Sequence, residues 1–109
     1  MEKPRLIIFA SGAKEGGGSG FENLVKSARK GILNANITAV VSSRARGGVR
    51  EKADRLGVKF TYFPGPYTAE NYQKIVEGAH ADYAALSGWL KLAKGLDPAK
   101  TINIHPGPL

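Results

Sequence analysis

Apolar positions along this chain follow two rhythms that take turns. Leu6 to Ala10 (LIIFA) is an unbroken apolar run closed by Ser11 and Gly12, the pattern of a β-strand buried on both faces and expected at the centre of a sheet. Phe21, Leu24, Val25 and Ala28 then recur at i, i+3, i+4 and i+7, one face of a helix, with Gly31 placed to end it. Ile37 to Ser43 (ITAVVSS) repeats the buried-strand pattern, and Val49, Ala53 and Leu56 mark a second helix stopped at Gly57. From Val58 to Phe63 the rhythm changes to alternation, with Val58, Phe60 and Tyr62 against Lys59, Thr61 and Phe63, which suits an edge strand.

The prolines of PGPYT interrupt the chain, and Thr68 is placed to cap a third helix whose inner face is Tyr72, Ile75, Val76 and Ala79. A fourth strand is expected from Tyr83 to Leu86, ended by Ser87 and Gly88. A short irregular or helical link follows from Trp89 to Leu96, then a turn at Asp97-Pro98 and a fifth strand from Thr101 to Ile104. Strands that alternate with helices imply βαβ crossovers and an α/β fold with a doubly wound, mostly parallel sheet. In such sheets ligands bind beyond the carboxyl ends of the strands, where the strand order reverses.

Composition narrows the field. With 109 residues the chain is one domain by length, large enough to bury roughly 60 to 70% of its unfolded surface. No apolar run is long enough to span a bilayer, MEKPR does not open a secretory signal, and zero cysteines leave no disulfide framework, so a cytoplasmic location and no membrane partner are expected. Sixteen Lys and Arg against nine Asp and Glu give a net charge of +7, which favours anionic partners. Arg44, Arg46, Arg50, Lys52 and Arg55 are interrupted by Glu51 and Asp54 and have no interleaved stacking aromatics. They suit a solvated face or a small phosphorylated ligand, and nucleic acid is not an expected partner.

Two stretches carry chemistry. Residues 11 to 21 (SGAKEGGGSGF) join the first strand to the first helix, and their glycines admit close backbone approach to an anion at a helix N-terminus. The stretch is neither GxGxxG nor a P-loop, so a plain connecting loop competes with a phosphate site. At the fifth strand, alternation puts Asn103 and His105 on one face, with Ile102 and Ile104 on the other. An imidazole can move a proton near neutral pH, and an amide can donate to a developing oxyanion, the two needs of acyl-type transfer. A strand ending in a satisfied polar turn is the competing reading. His80 reads as a polar residue at a helix end, Asp82 as a strand-entry residue and Asp97 as a turn residue.

The order and spacing of SG at 11–12, GSGF at 18–21, VVSSR at 40–44, SGWLKL at 87–92 and INIHPGPL at 102–109 make the chain resemble the N-terminal half of glycinamide ribonucleotide (phosphoribosylglycinamide) formyltransferases, across all 109 residues. The resemblance implies a Rossmann-like formyltransferase fold, truncated after the fifth strand, with the whole chain as a single phosphate-binding domain. It further implies transfer of a formyl group from the co-substrate 10-formyltetrahydrofolate to the amine of 5′-phosphoribosylglycinamide, a step of purine synthesis. By the same resemblance Gly18, Ser19 and Gly20 would hold the substrate phosphate, and Trp89, Leu90, Lys91 and Leu92 would line the folate pocket. Asn103 would bind the formyl oxygen and His105 would manage protons. No metal is called for.

The chain departs from the family pattern twice. Ala13 to Gly17 lengthen the first loop, and Gly20 stands where the family commonly has asparagine. The family's catalytic aspartate, from a later loop, has no counterpart here, so the chain alone is expected to be inactive and to self-associate or pair with a C-terminal half. Alternatives are a 10-formyltetrahydrofolate hydrolase, a methionyl-tRNA formyltransferase, or a non-catalytic anion-binding module.

Overall fold

A computed structural model describes residues 3–11, 19–89 and 94–104. Five strands, β1 (Arg5–Phe9), β2 (Asn36–Ser42), β3 (Phe60–Tyr62), β4 (Tyr83–Ser87) and β5 (Thr101–Ile104), form one sheet in the order β3-β2-β1-β4-β5. All four pairings are parallel, so the sheet expected from the alternating pattern is present with LIIFA at its centre. Among the described residues three α-helices connect the strands: α1 (Ser19–Arg29), α2 (Gly48–Leu56) and α3 (Ala69–Gly78). A 3₁₀ turn at Pro98–Lys100 leads into β5, its first amides capped by Asp97, whose carboxylate accepts from the Ala99 N–H at 2.9 Å.

The central strand needs apolar residues at every position because both of its faces are covered. Leu6, Ile8 and Ala10 point into a core completed by Phe21 and Val25 of α1, Val49 and Ala53 of α2, and Val40 and Ala85 of the neighbouring strands. Ile7 and Phe9 point the other way, into a second core with Phe63, Ala84 and Tyr72 of α3. Helices therefore pack on both faces, α1 and α2 on one and α3 on the other. Each fully buried side chain of this size contributes about 1.5–3 kcal/mol relative to exposure, so the alternation along β1 anchors both layers at once.

Helix ends follow the punctuation. Gly57 caps α2 at φ 73°, and Gly31, two residues beyond α1, has φ 79°, conformations in which a Cβ would be strained. Thr68 caps α3 through its side chain, which accepts the Asn71 N–H at 3.2 Å. His80 lies just past α3, exposed and at φ 52°, where its N–H donates to Glu77 O.

The third strand corrects the expectation. It spans Phe60–Tyr62 rather than Val58 to Phe63, while the alternation of faces runs on across it: Val58 and Phe60 pack on the α1–α2 core, Phe63 is buried in the α3-side core, and Tyr62 is 50% exposed. Both flanks still bond to β2, Lys59 O accepting the Val40 N–H at 2.9 Å and the Phe63 N–H donating to Ser42 O at 2.7 Å, and Phe63 turns its ring toward Tyr72. β3 is an edge strand, as its half-polar pattern suggested.

Candidate functional site

Strand order reverses at β1. From it the chain steps out to β2 and β3, then crosses to lay β4 and β5 on the other side. At the carboxyl end of this reversal the backbone is tied across three strands. The Ala10 N–H donates to Val41 O at 2.8 Å and the Ser11 N–H donates to Gly88 O at 3.3 Å. The buried Ser42 hydroxyl donates to Ser11 O at 3.2 Å and accepts the Arg44 N–H at 3.1 Å. VVSSR thus fastens the end of β2 to β1 and leaves Arg44 exposed beside the edge.

Helix α1 begins at this edge. Ser19 and Gly20 form its first turn, and Gly20 is set so closely over β4 that a Cβ there would lie 2.3 Å from Ser87 Oγ. The first amides of a helix lack intrahelical partners and favour an anion. Glu22, in the same turn, is already committed: its carboxylate pairs with Arg55 at 2.6 Å and with Lys26 at 3.4 Å. Burial pushes its carboxyl up, but the attraction of Lys26 and Arg55 prevails and holds it below the usual value. The Arg29 guanidinium also donates to Leu56 O at the end of α2, so α1 is fixed to α2 at both ends.

β5 brings the second group. Asn103 pairs in register with Leu86, one step before the Ser87–Ile104 pair, and its side chain is exposed. Only β4 separates the first turn of α1 from the strand that carries Asn103. Ile104 packs on the α1–α2 core and Ile102, on the same face, is 53% exposed.

Trp89, directly after β4, is half-buried in a cluster of rings. It meets Phe9 edge-on with centroids 5.4 Å apart and stacks near Phe63 at 6.2 Å, and its indole N–H donates to the Tyr72 hydroxyl at 2.9 Å. Burial raises the Tyr72 phenol above its ordinary pKa, against the opposing pull of the Trp89 hydrogen bond. Gly18, Leu90, Lys91, Leu92 and His105 lie outside the described residues. Of the nine residues singled out from the sequence, the structure therefore places Ser19, Gly20, Trp89 and Asn103, all at the carboxyl edge of the sheet.

Asp82 and Asp97, read from the sequence as a strand-entry and a turn residue, sit at the opposite edge. Asp82 precedes β4 and accepts the Arg5 N–H at 2.9 Å and Arg5 Nε at 3.5 Å. The backbone hydrogen bond and then the guanidinium contact hold its carboxyl below the usual value. Asp97 caps the turn before β5. A shallow cleft of about 370 Å³ opens there between Lys3, Arg5, Asp82 and Lys100, away from the candidate site. Among the described residues no group of three or more His, Cys, Asp or Glu could hold a metal ion, and no helix is long and apolar enough to cross a membrane.

The close packing of Ser87 on Gly20 is not visible in the sequence, because it joins residues 67 apart in the chain. A signal existed: glycine in the first turn of a helix forfeits propensity, and a close approach by another element is a physical reason to accept it.

No protein-family model matches the chain. It is 26% identical over 126 aligned positions to the chloroplastic phosphoribosylglycinamide formyltransferase of Vigna unguiculata, covering 100% of this chain and 37% of that protein. Glycinamide ribonucleotide transformylase 1 from Symbiobacterium toebii superposes with a TM-score of 0.82 at 22% identity, over 99% of this chain and 54% of that one. The Geobacillus kaustophilus transformylase 1 gives 0.78 at 30% identity, over 98% and 60%. A formyltetrahydrofolate deformylase from Pseudomonas putida KT2440 shares the fold, with a TM-score of 0.73 at 21% identity over 94% and 38%. The chain is thus similar throughout to the N-terminal part of phosphoribosylglycinamide formyltransferases and spans 37% of the plant relative's length and 54% and 60% of the two transformylases.

Proposed function

We propose that this chain forms the phosphate-holding and amide-bearing part of a folate-dependent formyltransferase site, serving formyl transfer from 10-formyltetrahydrofolate to the amine of 5′-phosphoribosylglycinamide. One observation carries the reading: at the carboxyl edge of the sheet the first turn of α1, pressed onto β4, and Asn103 of the neighbouring β5 lie at adjoining strand ends, with Asn103 on the face away from α1. In the reaction the glycinamide nitrogen forms a bond to the formyl carbon, whose oxygen becomes an oxyanion. Collapse breaks the bond to folate N10, and the proton shed by the amine goes to that nitrogen. The Asn103 amide would donate to the oxyanion and His105 would carry the proton. Gly18, Ser19 and Gly20 would offer backbone amides to the phosphate, and the segment from Trp89 through Leu90, Lys91 and Leu92 would face the folate.

With Trp89 packed among Phe9, Phe63 and Tyr72, its part in the folate pocket is to hold the end of β4 in place. Asp82 and Asp97 are engaged at the far edge, and neither is proposed to orient His105. Isothermal titration should show 5′-phosphoribosylglycinamide binding that inorganic phosphate competes away, while formyl transfer by this chain by itself stays at background. Absence of binding heat at millimolar ligand would overturn the phosphate assignment, and enzyme-like turnover would overturn the division of labour. The deformylase similarity keeps water in view as an alternative acceptor; release of formate from 10-formyltetrahydrofolate without any glycinamide would favour it.

A further inference from the structure

We propose that Gln73 is a positioning residue for folate binding, which holds the chain at Gly95 on α3 and so sets the stretch that begins at Trp89. The inference rests on reading the segment from Trp89 to Leu92 as the folate-facing one and adds to it residues from a different element. Both described ends of the stretch stand on one turn of α3. At the first end the Trp89 indole N–H donates to the Tyr72 hydroxyl at 2.9 Å. At the second, Gln73 Nε2 donates to Gly95 O at 3.1 Å, and Leu96 packs on the α3-side core. Ala69, Tyr72 and Gln73 are spaced i, i+3 and i+4, so the two attachments lie on one stripe of the helix.

The contact at Gly95 admits no other residue. Its φ is 74°, and a Cβ there would lie 2.6 Å from Ala69 Cβ, 2.8 Å from Ala69 Cα and 3.0 Å from Ala69 O. Backbone meets backbone, so no side-chain rotation relieves a larger residue. With the approach fixed in this way, Gln73 supplies the donor for the Gly95 carbonyl. Gln73 is exposed, and its bond favours one path of the chain at Gly95 over others without being needed for the domain to fold. The apparent affinity of a ligand falls with the population of the arrangement it needs. A folate that contacts the stretch between the two attachments therefore binds more weakly when one of them is loosened. A phosphate held at α1, on the other face of the sheet, is indifferent to the change.

Gln73→Ala removes the donor, and Gln73→Glu keeps the length of the side chain but sets a carboxylate, which only accepts, against the carbonyl. Both should weaken 10-formyltetrahydrofolate binding about fivefold, the equilibrium worth of one net hydrogen bond. Binding of 5′-phosphoribosylglycinamide should stay as it was, and Tm should fall by no more than about 4 °C. Trp89, the single tryptophan, reports the folate by quenching, and its emission without ligand should not move in either variant, since the Tyr72 attachment is intact. Gly95→Ala should cost more affinity than either. It breaks the same contact, so adding Gln73→Ala to it should cost nothing further.

Fluorescence titration with the folate and isothermal titration with the phosphorylated glycinamide read all four variants, with thermal unfolding to establish that each folds. If Gly95→Ala does not fold, the two Gln73 variants decide alone. Folate affinity equal to that of the original chain in both Gln73 variants refutes the role of Gln73 and leaves the folate-facing segment standing. Equal weakening of both ligands refutes it as well, because a general structural residue would give that result. Additive losses at Gln73 and Gly95 would overturn the shared contact. A chain that never binds the folate removes the reading of the segment and, with it, this inference.

Discussion

Tyr72 carries a hydroxyl into a core made otherwise of rings and aliphatic chains. Its side chain is completely buried, and the hydroxyl is tolerated there because it accepts the Trp89 indole N–H at 2.9 Å. Phe9 and Phe63 pack on the tyrosine ring with centroids 5.6 and 5.2 Å away, so the ring has no room to turn toward another donor. Tyr72→Phe keeps the packing and strands the indole N–H. The expected cost is about 1–3 kcal/mol, a fall in Tm of about 4 °C or more for a domain of this size. Because the chain has a single tryptophan, its fluorescence should shift in the same variant. A Tm and an emission spectrum both unchanged would show that the hydrogen bond does not anchor Trp89. Tyr72 was legible in the sequence as one of four positions on a helix face, but its partner was not. Periodicity shows which residues face inward and says nothing of which polar atoms meet there.

At the scale of elements, α3 shows how local chemistry sets a boundary. Three groups converge on its start: Thr68 Oγ1 accepts the Asn71 N–H, Thr68 O accepts the Tyr72 N–H at 3.0 Å, and Asn71 Nδ2 donates to Pro66 O at 2.8 Å. Thr68→Ala should cost about 1 kcal/mol, while Thr68→Ser keeps the acceptor and most of the stability. Urea denaturation checks the pair, and equal midpoints for the two variants would mean that the side chain does not cap. Elements of this kind were legible because their signals are local. LIIFA had to be a strand covered on both sides, and β5 was bounded as observed, Thr101 to Ile104. Val58 misled because it packs with the α1–α2 core from a position just outside the sheet, which imitates a strand residue in an alternating run. Of the candidate site, the sequence offered only single-element parts, the glycine-rich stretch before α1 and Asn103 of β5. Contacts between elements, such as Ser87 with Gly20 and Arg55 with Glu22, depend on strand order, and strand order leaves no local trace.

For the molecule as a whole, the two sheet edges differ in a way that bears on association. β3 is three residues long, follows the exposed Lys59, and has the Arg50 guanidinium 5.1 Å over the Phe60 ring, so charge guards that edge. β5 is uncharged throughout, and it forms the other edge among the described residues with Ile102 53% exposed. An unguarded strand edge with an exposed isoleucine invites pairing with a second copy, whereas a net charge of +7 on each copy opposes it. Salt decides between them, since the Debye length falls from about 10 Å at 0.1 M to about 3 Å at 1 M while the hydrophobic contact persists. Sedimentation velocity at high protein concentration should therefore show association that grows from low to molar salt, the reverse of what ion-pair contacts would give. Ile102→Lys should abolish it at every salt concentration, and Tyr62→Lys, at the guarded edge, should leave it unchanged. A monomer throughout, or an Ile102→Lys variant that associates like the original chain, would place the contact elsewhere and show that the repulsion of the basic surface is enough to keep β5 unpaired.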